Sequence, residues 1–236
     1  MERKDFLRKG FSALGAIALM PLVNACSKSN SAADDDDGCS QYPSVTEGPY
    51  PTKNPGNFVM SDITSDRTGT KLTINITIKD YANSCAAVGS GVIVDIWNCD
   101  AEGNYSQYGG TGSTQAIDYT AVNFLRGRQT TNSSGVVTFT GIYPGWYEGR
   151  TTHIHVHAYS SSGTSLVVAQ IAFPESITST VYAQGAYATH GQKKIANTSD
   201  NIFSATYKSG TLLDISLATV IGSVTDGYTL THAISY

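Results

Sequence analysis

Lys71-Leu-Thr-Ile-Asn-Ile-Thr-Ile-Lys79 alternates polar and apolar side chains along its whole length. A strand turns successive side chains to opposite faces, so Leu72, Ile74, Ile76 and Ile78 share one face. That pattern predicts an antiparallel strand with one dry and one wet side. Working outward, Val92–Trp97, Val136–Phe139, His153–Tyr159, Leu166–Phe173, Leu212–Leu217 and Tyr228–Ile234 read as further strands. Gly89-Ser-Gly91, Ser133-Ser-Gly135, Ser161-Ser-Gly163 and Asp226-Gly227 supply the positive φ that tight turns need. Seven short strands punctuated in this way predict an all-β domain, a two-sheet antiparallel β-sandwich with few short helices. Glu175–Tyr182, after Pro174, reads as one of those helices. The scarcity of charged residues (14%) and the 23 glycines fit the same class.

The region before this domain has a different character. Arg3, Lys4, Arg8 and Lys9 precede an apolar run from Phe11 to Val23, too short for a stable membrane span. It ends in Leu22-Val-Asn-Ala-Cys26, which resembles a bacterial lipoprotein signal peptide over residues 1–25 with Cys26 lipidated. Residues 26–40 form a flexible acidic linker carrying Asp34–Asp37, a composition that cannot bury a core. Residues 41–236 suffice for one domain. The expected location is exported and lipid-anchored in the cell envelope. A net charge of −4 offers no basic surface for nucleic acid, and membrane contact is expected only through the lipid. In an oxidising compartment Cys85 and Cys99, flanking a turn and a strand, are expected to form a disulfide, with two buried thiols as the alternative. Cys39 has no evident partner.

The chemistry concentrates in Gly149-Arg-Thr-Thr-His-Ile-His-Val-His157, which holds three of the five histidines. On a strand His153, His155 and His157 point the same way, and two such imidazoles can share a metal. A polar strand face turned to solvent is the simpler alternative. Tyr147 and Arg150 lie just upstream, and Gly103-Asn-Tyr-Ser-Gln-Tyr108 is a second tyrosine-rich segment. Tyrosine is a rare ligand that binds as phenolate, and an anionic oxygen suits trivalent iron better than zinc. Two tyrosines with two histidines therefore predict non-haem Fe(III). Zinc or copper on His153, His155 and His157, with tyrosines lining the pocket, is a third option.

Set in order, Tyr105, Tyr147, His153 and His155 sit within a longer pattern. The pieces are Thr46-Glu-Gly-Pro-Tyr50, Val94-Asp-Ile-Trp97, Cys99-Asp-Ala-Glu-Gly-Asn-Tyr105, Phe124-Leu-Arg-Gly127, Tyr143-Pro-Gly-Trp-Tyr147, Gly149-Arg-Thr-Thr-His-Ile-His155 and Gln170-Ile-Ala-Phe-Pro174. Together they resemble the intradiol ring-cleavage dioxygenases, similar to protocatechuate 3,4-dioxygenase subunits and to the exported branch of that family. The resemblance implies a β-sandwich holding one Fe(3+) through Tyr105, Tyr147, His153 and His155. It implies that Tyr105 stays bound while substrate displaces Tyr147, that Arg150 faces the substrate ring, and that Gln170 lies in the same pocket. The implied reaction is O2-dependent cleavage of a catechol between its two hydroxylated carbons, giving a muconate-type dicarboxylate. Only five residues separate Tyr147 from His153, Pro51 follows Gly-Pro-Tyr, and His157 is additional, read as a supporting or structural residue. An exported metal- or ligand-binding lipoprotein with the same sandwich but no ring cleavage is the competing reading. The particular catechol and the oligomeric state, a homo-oligomer included, stay open.

Overall fold

The computed structural model describes residues 39–236. The expected signal peptide, Cys26 and nearly all of the acidic linker lie outside the described residues. The strands, in chain order, are β1 (Lys71–Asp80), β2 (Ala86–Ala87), β3 (Ile93–Trp97), β4 (Arg126–Thr130), β5 (Val136–Ile142), β6 (His153–Tyr159) and β7 (Ser165–Ala172). After them come the short helices α1 (Glu175–Val181) and α2 (Gly185–His190). The chain finishes with β8 (Thr206–Tyr207), β9 (Gly210–Thr211), helix α3 (Leu213–Ser216), β10 (Thr219–Ser223) and β11 (Gly227–Ser235).

Two sheets pack face to face. In one, β1 lies between β11 and β5, with β10 outside β11 and β2 at the far end of β1. The other runs β4-β3-β6-β7 and is antiparallel throughout. Leu72, Ile74, Ile76 and Ile78 of β1 meet Val94 and Ile96 of β3, Ile154 and Val156 of β6, and Ala169 and Ile171 of β7 in one core. Each of these ten side chains is at most 1% exposed. Burying one such valine, leucine or isoleucine contributes roughly 1.5–3 kcal/mol, so the alternation in β1 sets which face turns inward.

Three of the differences from the expectations bear on how the chain closes. The pairing of β1 with β11 is parallel, so the first sheet is mixed; the last strand returns beside the first, and no local pattern encodes that closure. Leu212–Leu217 is not a strand but contains α3. Leu212 and Ser216, four residues apart, are both buried, and the Thr211 amide donates to the Asp214 carboxylate at 2.7 Å, so helical spacing satisfies this segment. The cysteines also pair differently: Cys39 bridges Cys85, with Cα atoms 6.0 Å apart, and Cys99 is a buried free thiol. Cys85 sits beside β2 in the first sheet, whereas Cys99 follows β3 in the second. The thickness of the sandwich separates the two residues that look paired in sequence.

Candidate active site

Alternation in β6 sends Ile154 and Val156 into the core and turns the histidines to the outer face of the second sheet. There the register aligns Arg126, Trp97, His155 and Gln170 as one row across β4, β3, β6 and β7. The His155 ring stacks on Trp97 with centroids 5.0 Å apart and planes within 2°. Gly48 closes the other edge. Its φ is +74°, and a Cβ there would stand 3.0 Å from His155 Cε1, so the segment can approach the ring only as glycine.

Four rings close a circuit. Centroid distances are 5.6 Å from Tyr105 to Tyr147, 5.6 Å from Tyr147 to His153, 4.7 Å from His153 to His155, and 6.1 Å from His155 back to Tyr105. The structure thus brings together all four residues named as candidate ligands. His153 Nδ1 donates to the Thr151 carbonyl at 2.6 Å, which leaves a lone pair on Nε2. That Nε2 lies 3.1 Å from His155 Nε2. Two nitrogens each about 2.1 Å from one ion, at roughly a right angle, would stand about 3 Å apart. The Tyr105 hydroxyl is wholly buried and has no hydrogen-bond partner among the described residues. Leaving a buried hydroxyl unsatisfied costs about 1–3 kcal/mol, and a bound cation would remove that cost. Burial holds both imidazoles neutral, His153 down at about 3 and His155 well below its ordinary value. Burial likewise raises Tyr105 well above 10 and pushes Tyr147 up to about 12, against the pull of nearby Arg150. Neutral nitrogens and phenols that ionise only beside a strong cation fit a trivalent metal. Among the described residues no group of three or more His, Cys, Asp and Glu side chains converges in this way.

Arg150 is 7% exposed and held by two side chains. Its Nε and Nη2 donate to the Asp200 carboxylate at 2.8 and 3.1 Å, and Nη2 also donates to Gln170 Oε1 at 2.6 Å. The Gln170 amide in turn donates to the Thr46 carbonyl at 3.0 Å, so both ends of that side chain are committed. Several residues here escaped the sequence reading. Asp200 is completely buried and also accepts the Thr151 amide at 2.9 Å. Tyr50 stacks on Tyr105 at 4.6 Å. Arg126 donates to the Tyr50 and Ser106 carbonyls at 3.0 and 2.6 Å, tying the two segments together. Gln115 accepts the Tyr105 amide at 2.6 Å and donates to the Tyr105 carbonyl at 3.0 Å. The Thr46–Tyr50 motif pointed to Tyr50, whereas Asp200 and Gln115 carry no local signature.

His157 does not join the other two histidines. Its Nδ1 lies 2.7 Å from Glu47 Oε1, its Nε2 lies 2.8 Å from Ser165 Oγ, and its ring stacks on Tyr159 at 3.9 Å. The three-histidine zinc or copper site is therefore not assembled, and His157 instead anchors the strap that carries Gly48.

Against solved structures, the chain is 29% identical to an intradiol ring-cleavage dioxygenase from Tetranychus urticae, over 84% of this chain and 94% of that one, with a TM-score of 0.72. It is 26% identical to the dioxygenase domain of a carbohydrate-binding fusion protein from the cellulolytic bacterium Streptomyces sp. SirexAA-E, over 84% and 98% of the two chains, with a TM-score of 0.55. The chain is thus similar in fold and, at 26–29% identity, in sequence to intradiol ring-cleavage dioxygenases. The 3-chlorocatechol 1,2-dioxygenase of Rhodococcus opacus 1CP shares the fold, at 20% identity over 82% and 72% of the chains and a TM-score of 0.52. No family model and no curated protein matches. The likeness supports an oxidoreductase, and the two-tyrosine, two-histidine circuit beside Arg150 is the candidate site.

Proposed function

We propose that this dioxygenase holds one Fe(3+) through Tyr105, Tyr147, His153 and His155 and cleaves a catechol with O2 between its two hydroxylated carbons. The product is a muconate-type dicarboxylate. The observation that carries the reading is the closed circuit of four rings, with two imidazole nitrogens 3.1 Å apart and beside them a buried phenol that has no hydrogen-bond partner among the described residues. When bound, the ferric ion supplies Lewis acidity, which lets phenols and a catechol ionise near neutral pH and draws electron density from the catechol ring.

The chain's own residues divide the remaining work. Tyr105 is sealed beneath Tyr50 and locked through Gln115, so it is the phenol that stays in place. Tyr147 is only half-buried and borders an open hollow, so it is the one able to swing away and take a substrate proton. Arg150 presents a fixed cation to the negative charge that develops on the ring. Because Asp200 and Gln170 orient it in advance, no reorganisation is needed during the reaction. Gln170 acts through Arg150 as a positioning residue. Stacked Trp97 and the approach of Gly48 keep His155 from rotating.

Metal analysis and oxygen consumption test this together. Purified protein should carry about one iron per chain, absorb visible light through tyrosinate-to-iron charge transfer, and consume O2 when given catechol. A protein that holds zinc, shows no visible band after iron loading and consumes no O2 with any catechol would return the binding-lipoprotein reading. Export and lipid attachment at Cys26 are part of the proposal and rest on residues 1–26 alone. Mass spectrometry of membrane-extracted protein should find acyl chains on Cys26, and an unmodified N-terminus elsewhere would refute them.

A further inference from the structure

A hollow of about 520 Å³ opens over Tyr50 and Tyr147. A second, of about 350 Å³, continues from it past Ala116 and His190 to Ile117 and Thr189. Ala116 and His190 line both, so the two form one trough leading away from the four-ring circuit. Even the first hollow alone lies within the range that buries a drug-sized ligand, and a single six-membered ring leaves most of the trough unfilled.

Its wall is rigid and aromatic. The Trp146 indole donates to the Gly191 carbonyl at 2.9 Å, and His190 Nε2 donates to the Trp146 carbonyl at 2.8 Å. The two rings lie 4.4 Å apart. A wall held in advance in this way stacks on a flat tail at little entropic cost. The charges argue against an acidic tail. The one lysine of the trough, Lys194, is already bound to Glu148 at 2.8 Å, and Glu102 adds a second carboxylate. Arg150, the cation nearest the circuit, is tied to Asp200 and Gln170 and is not among the residues that line the trough. A carboxylated substituent in the trough would meet two carboxylates and one lysine that Glu148 already pairs.

We propose that the trough selects uncharged catechols carrying a second ring. The dihydroxylated ring lies against Tyr147 and Tyr50, and the tail passes Trp146 and His190 toward Ile117. This inference rests on the catechol-cleaving reading above.

The test uses the full chain, iron-loaded, with catechol, 3,4-dihydroxybenzoate and 3,4-dihydroxybiphenyl. Oxygen consumption should give a kcat/KM for dihydroxybiphenyl at least tenfold above that for either smaller compound. Ala116→Trp and, on the opposite side, Thr189→Trp each alter an exposed residue and plug the trough. Either should cut the ratio of kcat/KM for dihydroxybiphenyl over catechol by tenfold or more. A preference for dihydroxybenzoate, or a ratio untouched by both plugs, overturns the proposal. Calorimetry separates it from the reading it rests on. If no compound consumes O2 but dihydroxybiphenyl binds at least tenfold tighter than catechol, and each plug removes that advantage, the trough stands while the ring-cleavage reading falls. Equal binding of the two compounds overturns the trough itself.

Discussion

Asp200 holds Arg150 from beneath, through Nε at 2.8 Å and Nη2 at 3.1 Å, with the carboxylate wholly buried. Removing one partner of a buried ion pair leaves an uncompensated charge and costs about 3–5 kcal/mol. Asp200→Ala should therefore lower the unfolding free energy measured in urea by an amount in that range and reduce turnover together with it. Arg150→Ala should retain iron and colour while kcat falls roughly 10²–10³-fold, the size of effect seen when one preorganised electrostatic contact is removed. Metal content and steady-state kinetics on the same preparations check both.

Iron binding should depend unequally on the four proposed ligands. His153→Ala or His155→Ala removes one of two convergent nitrogens and should lose most of the iron. Tyr147→Phe leaves three ligands and should keep some iron, with an altered visible band and slower turnover. Iron determination and absorption spectra decide this; full iron retention without His153 would contradict the assignment.

The Cys39–Cys85 bridge spans 46 residues of chain. In the chain-entropy account a loop of that length contributes roughly 4 kcal/mol. Replacing both cysteines by serine should destabilise by that order, and non-reducing peptide mapping should recover the 39–85 pair. Cys99 is 2% exposed, and burial raises its thiol pKa far above the ordinary value, so it should react with thiol reagents only after unfolding.

His232 supplies a pH effect remote from the candidate site. It shares the inward face of β11 with Tyr228, Leu230 and Ile234, its Nε2 has no hydrogen-bond partner among the described residues, and burial lowers its pKa to about 4. Between about 4 and 6.5 the unfolded chain binds a proton there that the folded chain does not, so stability falls as pH falls through that window. The full loss is roughly 3 kcal/mol, following the size of the shift. His232→Leu should be the more stable protein at pH 5, with a smaller difference at pH 7. Urea unfolding at the two pH values measures it, and identical pH dependence of the two proteins would refute the assignment.

The sequence by itself determined most of the long strands and the residue types gathered at the candidate site. Alternation in Lys71–Lys79 and in His153–His157 is a property of neighbouring residues, and the pleat converts it directly into a core face and a pair of imidazoles on the outer face. The tyrosines at 105 and 147 likewise stood out as candidate oxygen donors. What only the tertiary structure decided are the meetings between distant segments: Asp200 beneath Arg150 fifty positions away, Tyr50 on Tyr105, Cys39 rather than Cys99 as the partner of Cys85, and the parallel return of β11 beside β1. Each depends on which surfaces the two sheets present once stacked. A buried aspartate or a half-cystine looks the same in sequence whichever partner the fold delivers.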